Sequence, residues 1–201
     1  MFTGIVQATG RIEKNEVLGQ GQRLTIAAPE LGLAEVKIGD SIALNGACMT
    51  VVAKTESTFV VEVSAESLSK TAGLDRSGEL NLEKAMRLGD RVDGHLVSGH
   101  VDGVGEVEVM EAVGESWRLV VRAPKELARY LAYKGSITVN GVSLTINSVE
   151  DKANGTSVAI NLIPHTVAVT TLKHLVPGSR VNLEIDTIAR YVERMLALRG
   201  E

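Results

Sequence analysis

The chain has 201 residues, of which 44% are hydrophobic but only 3% aromatic, and its formal net charge is −4. With so few aromatic rings, the chain lacks a base-stacking surface, and its negative charge disfavours phosphate binding. Nucleic acid is therefore not an expected partner. There is no basic leader before an apolar segment and no apolar run of roughly 18 residues, so we expect no membrane association and a cytoplasmic location. The single cysteine agrees with a reducing compartment.

The sequence repeats itself at a constant offset. Residues 1–12 (MFTGIVQATGRI) return as 96–107 (LVSGHVDGVGEV), 95 positions later. Two more blocks share this offset without a gap, 23–30 with 118–125 and 38–51 with 133–146. One offset common to three blocks predicts two copies of one domain, and a chain of this length can hold two domains of about 100 residues. Two similar pockets for two similar ligands are expected.

Most of each copy is predicted to form short antiparallel strands. β-Branched runs bounded by turn residues support this at 59–63, 117–121 and 157–160. Asn-Gly pairs supply the positive φ of tight turns at 45–46, 140–141 and 154–155. This pattern favours a small closed barrel or a sandwich over a parallel α/β sheet, and we predict the barrel because closure hides the edge strands.

The tail after the repeat has the pattern of an amphipathic helix. Its apolar stripe is Ile188, Val192, Met195 and Leu196, whereas Arg190, Glu193 and Arg194 lie off the stripe. Asp186 or Thr187 can cap its start and Gly200 its end. So short a helix must bury its stripe. Docking on its own barrel is one alternative, but self-association is favoured because the tail has no repeat equivalent. The predicted domains are thus 1–94, 95–186 and 187–201, with the join in the polar stretch 87–94.

Several motifs together resemble the riboflavin synthase family over essentially the whole chain. They are MFTGIV at the start, NGACMTV around Cys48, SGHV at 98–101, YKG at 133–135, NGVSLTI at 140–146 and NLIPHT at 161–166. The resemblance implies an all-β fold of two tandem six-stranded antiparallel Greek-key β-barrels with a C-terminal α-helix. It also implies a homotrimer and leaves an association with lumazine synthase open.

The activity that this resemblance implies is a transferase reaction without metal or cofactor. Two molecules of 6,7-dimethyl-8-ribityllumazine exchange a four-carbon unit, which gives riboflavin and 5-amino-6-(D-ribitylamino)uracil in the last step of riboflavin biosynthesis. In this family the reactive pair lies between the first barrel of one subunit and the second barrel of a neighbour. Both copies must therefore recognise the same molecule while treating it differently.

The family pattern also implies the substrate-binding residues. The first pocket would be lined by Gly4, Ile5, Val6, Cys48, Met49, Thr50, Glu62, Val63, Ser64, Ala65, Glu66 and Ser67, and Phe2 belongs to the same set. The second would be lined by Gly99, His100, Val101, Ser143, Leu144, Thr145, Asn161, Leu162, Ile163, Pro164, His165 and Thr166, with Lys134 reaching across a subunit boundary. Glycines and strand residues beside a turn are also needed by any barrel, whatever its ligand.

The reaction needs a proton acceptor for the C7 methyl group of one ring and a nucleophile at C7 of the other. His100 is a candidate for proton transfer, although it can equally be a polar turn residue. Cys48 is interpreted as a lining or assisting residue, since no neighbouring cation favours its thiolate. Hydroxyl candidates are Ser41, Ser143 and Thr145, of which the last two can position an attacking water or stabilise an adduct. Asp186 is either a helix cap or a catalytic carboxylate.

Other functions are weighed against this one. His95 and His100 have finger-like spacing but lack a second ligand pair, so no metal is expected. Gly103-Val104-Gly105 begins a dinucleotide fingerprint without its third glycine. A lumazine or flavin carrier and a flavin-dependent oxidoreductase remain open. A carrier needs only one good pocket whereas both copies look intact, and no nicotinamide domain follows, so the enzyme is favoured.

Overall fold

The computed structural model describes residues 1–199, which form two closed six-stranded antiparallel β-barrels and a C-terminal helix. The strands of the first barrel are β1 (Ala8–Leu18), β2 (Gly21–Ala27), β3 (Ser41–Leu44), β4 (Ala47–Lys54), β5 (Thr58–Val63) and β6 (Glu79–Lys84). Those of the second are β7 (Gly103–Val113), β8 (Ser116–Ala123), β9 (Ser136–Val139), β10 (Val142–Lys152), β11 (Gly155–Leu162) and β12 (Arg180–Ile185). The α-helices are α1 (Ala65–Lys70), α2 (Pro164–Val169) and α3 (Thr187–Ala197), and short 3₁₀ helices span Pro29–Leu31, Leu33–Glu35, Lys125–Tyr130 and Thr171–His174.

The two barrels share one topology. Neighbouring strands run in the order β1-β2-β5-β4-β3-β6, and the second barrel follows the same order six strands later. The β2 to β3 and β5 to β6 connections pass over non-adjacent strands, which is a Greek-key arrangement. The predicted barrels and strands are therefore confirmed. The helices that follow β5 and β11 were not predicted, because each has only six residues and no clear periodicity.

Bulges and tight turns recur at matching positions of the two copies. Register shifts interrupt β1 between Ile12 and Lys14 and β7 between Val107 and Val109. Such bulges bend a strand and help a small barrel to close. Two of the Asn-Gly pairs form the two-residue turns β3–β4 and β9–β10, each with positive φ at both residues, as predicted. The third differs, because the β10–β11 turn consists of Ala153 and Asn154, and Gly155, with a φ of 142°, already begins β11.

Those two turns meet where the barrels join. A Cβ on Gly46 would lie 2.9 Å from the backbone nitrogen of Gly141, so both positions require glycine. Two buried asparagines cross this junction reciprocally. The Asn81 amide donates to the Asn140 carbonyl at 2.9 Å, and the Asn182 amide donates to the Asn45 carbonyl at 3.0 Å. An approximate two-fold axis thus relates the copies.

Helix α3 turns its apolar stripe away from its own barrel. Ile188, Val192, Met195 and Leu196 are exposed, with Met195 at 58%. The polar side of the helix contacts the second barrel instead, because Glu193 accepts a hydrogen bond from Arg129 at 2.8 Å. The prediction of an amphipathic helix is confirmed, and Asp186 caps it by accepting from the Ile188 N–H at 2.9 Å. The predicted end at Gly200 lies outside the described residues. Among residues 1–199 no helix has the length and apolar character to cross a membrane.

Candidate functional site

The segment that precedes each barrel crosses to the other barrel. Val6 packs on the core of the second barrel, and its counterpart Val101 packs on the core of the first. The crossings are held by matching hydrogen bonds. The Ser143 N–H donates to the Gly4 carbonyl at 2.7 Å, and the Cys48 N–H donates to the Gly99 carbonyl at 2.8 Å. Residues 3–6 and 98–101, here called the crossing segments, therefore complete the opposite barrels.

The assignment of these segments to pockets was wrong. Gly4, Ile5 and Val6 were expected in the first pocket, but they lie beside the second barrel. Gly99, His100 and Val101 were expected in the second, but they line a cleft of the first barrel. A repeat offset identifies equivalent residues, yet it does not say which barrel they contact. Because both segments cross, the exchange is symmetric.

Each crossing segment is anchored by a buried glutamate of its own barrel. Glu83 accepts from the Thr3 N–H at 2.7 Å, from its hydroxyl at 2.8 Å and from the Gly4 N–H at 3.0 Å. Glu184 accepts from the N–H groups of Ser98, Gly99 and His100 at 2.6, 2.9 and 3.0 Å.

Burial dominates the titration of both carboxyl groups. It raises the pKa of Glu184 to about 7, against the hydrogen bonds that lower it, and the Asp102 charge adds to the rise. Burial likewise raises the pKa of Glu83, against the hydrogen bonds from Thr3 and Gly4. In each case backbone N–H groups of the crossing segment donate to the carboxyl oxygens, so the glutamate holds the main chain of that segment in place.

The first pocket is a cleft of about 230 Å³ between β4, α1 and the crossing segment 98–101. The side chains and backbone that line it are Ala47, Cys48, Met49, Glu66, Ser67, Lys70, Thr71, Gly99, His100 and Val101. Ser64 caps α1 by accepting from the Ser67 N–H at 3.1 Å, which fixes the lip of the cleft. The cleft therefore brings together two of the predicted catalytic side chains, Cys48 and His100.

The predicted second pocket corresponds to a face of the second barrel that is built from the same parts. β10 contributes Ser143, Leu144 and Thr145, and β11 and α2 contribute the remaining predicted block of residues 161–166. The crossing segment 3–6 takes the place that 98–101 has in the first pocket. Thr170 donates its hydroxyl to the Thr166 carbonyl at 2.7 Å, as Thr71 does to Ser67.

A histidine that the sequence did not single out for catalysis lies at the second pocket. The His95 Nδ1 is 2.7 Å from the Ser143 hydroxyl, and the imidazole is buried. Burial lowers the pKa of His95, and the charge of Asp186 offsets part of this effect. The His95 Nε2 is buried without a hydrogen-bond partner among the described residues. A neutral imidazole in this position can accept the serine proton.

The remaining predicted residues lie around these two centres. Phe2 is completely buried between the barrels, where a Cβ on Gly99 would meet its ring at 2.7 Å. Glu62 pairs with Arg23 at 2.9 Å on the outer surface, and Val63 belongs to the barrel core. Lys134 has a φ of 63° in the turn before β9, and its ammonium group lies 5.4 Å from the Tyr133 ring centre.

Ser41 is separated from the Cys48 cleft. It lies at the edge of a wider groove of about 660 Å³ whose lining is charged and includes Lys84, Arg87 and Asp90. Thr50 is its exposed partner on β4, just as Thr145 is the partner of Ser136 on β10. Within one chain, the six candidate catalytic residues thus do not form a single cluster.

Glu83, Glu184 and His95 were not predicted, because the sequence patterns around them are weak. Glu83 and Glu184 lie in the blocks Asn81-Leu82-Glu83 and Asn182-Leu183-Glu184, which repeat at a longer separation than the other blocks and escaped a search at one offset. His95 precedes the repeat and has no counterpart in the first copy. Among residues 1–199, no three His, Cys, Asp or Glu side chains are grouped closely enough to hold a metal ion.

Paired barrels with exchanged lining segments define a class of duplicated ligand-binding proteins. A family model for the lumazine binding domain matches the chain twice, at residues 3–85 and 98–186. The chain belongs to the riboflavin synthase family. It is 44% identical over 198 residues to the riboflavin synthase of Photobacterium phosphoreum, which covers 98% of this chain and 89% of that protein. It is 42% identical over 204 residues to that of Mycobacterium bovis, with full coverage of both.

Solved structures show the same fold. The structure of LumP complexed with 6,7-dimethyl-8-(1'-D-ribityl) lumazine matches with a TM-score of 0.80 and 27% identity, over 92% of this chain and 99% of that chain. LumP complexed with riboflavin matches with a TM-score of 0.81 and 28% identity, with the same coverage. The similar solved structures therefore include complexes of LumP with a lumazine and with riboflavin.

Proposed function

We propose that the protein is a riboflavin synthase, a transferase that converts two molecules of 6,7-dimethyl-8-ribityllumazine into riboflavin and 5-amino-6-(D-ribitylamino)uracil. The observation that carries the proposal is a cleft in the first barrel and a matching face of the second barrel, which are built from equivalent elements but have different reactive side chains. Cys48 and His100 lie in the first, and Ser143 and His95 lie at the second. A dismutation needs this combination, because identical molecules must bind alike and react differently.

The second pocket is suited to base-assisted addition. The Ser143 hydroxyl is 2.7 Å from His95, whose lowered pKa keeps the imidazole neutral and able to take a proton near pH 7. Ser143, or a water that it holds, can then add to C7 of the bound lumazine. Asp186 stabilises the imidazolium that forms, since its carboxylate already acts on the His95 charge. Thr145 is an exposed hydroxyl further along the same strand.

The first pocket is suited to removal of the C7 methyl proton. His100 is exposed in the cleft, and its backbone is fixed by the hydrogen bond to Glu184, so the imidazole can reach a bound ring. Cys48 lies on the strand opposite and lines the same cleft. We assign Cys48 an assisting role, and we keep the remaining predicted lining residues as substrate contacts. With both rings held together, positioning can contribute as much as roughly 7–11 kcal/mol in favourable cases.

The proposal includes a homotrimer assembled through α3. Its apolar stripe is exposed in the isolated chain, and burial of such a stripe is the main source of stability for a short helix. A site between the first barrel of one subunit and the second barrel of a neighbour would also bring the separated candidates together. The domain boundaries after residues 94 and 186, a cytoplasmic location and an association with lumazine synthase stay part of this proposal as expectations.

Riboflavin formation tests the function directly. The protein is mixed with 6,7-dimethyl-8-ribityllumazine, riboflavin is followed by its fluorescence, and both compounds are quantified by chromatography. We expect one riboflavin for every two lumazine molecules consumed. Tight binding without product would contradict the enzyme and identify a carrier instead. Oxidation of a reduced nicotinamide by the flavin-loaded protein, without formation of riboflavin from the lumazine, would favour an oxidoreductase.

A further inference from the structure

We infer that Glu83 and Glu184 are positioning residues for the two pockets. Glu83, in the first barrel, holds residues 3–6 against the second barrel, and Glu184, in the second barrel, holds residues 98–101 against the first. Glu83 thus serves the second pocket and Glu184 serves the first. The identity of the ligand rests on the proposed function, whereas the anchoring itself does not. Glu184 is not among the residues that line the first pocket, and Glu83 borders a separate groove beside Thr3 and Ile5, so neither is assigned a chemical step.

The contacts of Glu184 show how the anchor works. Three consecutive N–H groups, from Ser98 to His100, converge on one carboxyl group that is almost completely buried. A bend of the main chain that presents three donors to one side cannot be satisfied by a neighbouring strand, so a side chain must supply the acceptors. Gly99 has a φ of 80°, which permits this bend. The result is a segment with a fixed position but no strand partner of its own.

The segment that Glu184 holds also contacts the lining strand of the first barrel. Once Glu184 has fixed Gly99, the Gly99 carbonyl accepts from the Cys48 N–H at 2.8 Å. A Cβ at Gly99 would lie only 2.7 Å from the Cys48 Cβ, so the segment is pressed against the lining strand. In the other copy, Gly4 has the same relation to Ser143, also at 2.7 Å. Displacement of a crossing segment therefore uncovers position 48 or position 143.

One difference between the copies extends the first-pocket anchor to α3. Gln7 accepts from the Lys84 N–H at 2.9 Å, and the equivalent Asp102 accepts from the Ile185 N–H at the same distance. Asp102 additionally forms an ion pair with Arg190 of α3. The segment that Glu184 holds is thus also tied to the helix with the exposed apolar stripe. The first pocket is the one whose geometry responds to the position of that helix.

Thiol alkylation of the full-length protein tests whether Glu184 serves the first pocket and Glu83 the second. Cys48 is the only cysteine, so the rate of its reaction with N-ethylmaleimide reports on the first pocket. Glu184→Gln replaces one acceptor oxygen by a donor that faces the N–H groups. We expect it to raise the alkylation rate about tenfold, as the loss of one hydrogen bond to a charged group allows, while the matched variant Glu83→Gln changes it less than about twofold.

The reverse experiment moves the thiol to the second pocket. Cys48→Ser combined with Ser143→Cys places the thiol at the equivalent position, and the same two glutamine substitutions are then added. Here Glu83→Gln should raise the rate and Glu184→Gln should not. Saturating lumazine should slow alkylation in both backgrounds, and each glutamine variant should need more lumazine for protection at its assigned pocket only.

The crossover pattern separates positioning from general destabilisation. A protein that is merely less stable would react faster at both positions with either variant, and that result would overturn the inference. Faster reaction at position 48 with Glu83→Gln would overturn it as well, because it would mean that each glutamate serves its own barrel. If Glu184→Gln does not fold, Glu184→Asp carries the same test, since it withdraws the oxygens by one methylene group. Alkylation needs no lumazine, so it remains informative even if riboflavin does not form.

Discussion

The first-barrel cleft and the matching face of the second barrel share one architecture but differ in their reactive side chains. Both use a strand after an Asn-Gly turn, a short helix and a crossing segment from the other copy. In the first, a thiol and an exposed imidazole share an open cleft. At the second, a serine is bonded to a buried histidine that has no counterpart in the first copy. The two copies thus keep one backbone arrangement while their side chains at matching positions differ.

The exchange of crossing segments links these pockets physically. Neither barrel is complete without four residues from the other copy, and buried asparagines bridge the junction in both directions. A change in one copy is therefore expected to affect the pocket of the other. In the proposed trimer, where the reacting pockets belong to neighbouring subunits, a change in one pocket of a chain would therefore also reach the site that its other pocket forms.

The largest expected effect is the loss of the proton acceptor at the second pocket. His95→Gln should lower kcat by about 10²- to 10⁴-fold, as is typical for a general base, while lumazine binding persists. The measurement is riboflavin formation at saturating lumazine, with calorimetry for binding. His174→Gln, on the exposed surface away from both pockets, is the matched histidine control and should lose far less kcat. Equal losses for both variants would remove His95 from the mechanism.

The second-largest loss of turnover is expected when charges are placed on the apolar stripe of α3. Replacing Val192 and Met195 by Asp places charges on the apolar stripe, where burial without a partner costs several kcal/mol. Turnover at low protein concentration should fall by more than about tenfold and recover as concentration rises, by mass action. Sedimentation should show smaller species in parallel. Arg194→Asp, off the stripe, is the control. Full activity from a demonstrated monomer would contradict a site between subunits.

Cys48→Ser is expected to have a modest effect. The second copy already uses a serine at the matching position 143, so the hydroxyl fits this strand and activity should fall less than about tenfold, with little loss of packing. The assay is steady-state riboflavin formation. Complete loss of turnover with normal lumazine binding would instead make the thiol an essential group and would reverse the roles assigned to the two pockets.

The smallest effect concerns pH and stability. Burial raises the pKa of Glu184 from 4.5 to about 7 in the folded protein, with Asp102 adding to the rise and Arg190 nearby. Between these values the folded state keeps a proton that the unfolded chain loses, so the free energy of unfolding should fall as pH rises from about 4.5 to about 7. The free energy of unfolding, measured with urea at several pH values in this range, should change less with pH for Glu184→Gln than for wild type or for the exposed control Glu56→Gln. An unchanged profile would contradict the raised pKa.

Much of this fold could be predicted from local pattern, whereas the pairing between copies could not. The repeat, the strands, the Asn-Gly turns and the amphipathic tail all depend on residues close together in the chain. The crossing of residues 3–6 and 98–101 depends on which surfaces meet after folding, and a repeat offset contains no such information. Glu83 and Glu184 were missed because insertions shift them from the common offset, and His95 because it lies outside the repeat.

Mixed oligomers test most directly whether two different pockets from neighbouring subunits form one reactive site. Ser67→Trp fills the first pocket and Thr166→Trp the equivalent position of the second, and each variant alone should be inactive. Co-expression, with mixed trimers verified by mass spectrometry, should restore riboflavin formation, because an intact first pocket of one chain then faces an intact second pocket of another. If verified mixed trimers remain inactive, the two pockets that react lie within one chain, which would contradict the proposed arrangement.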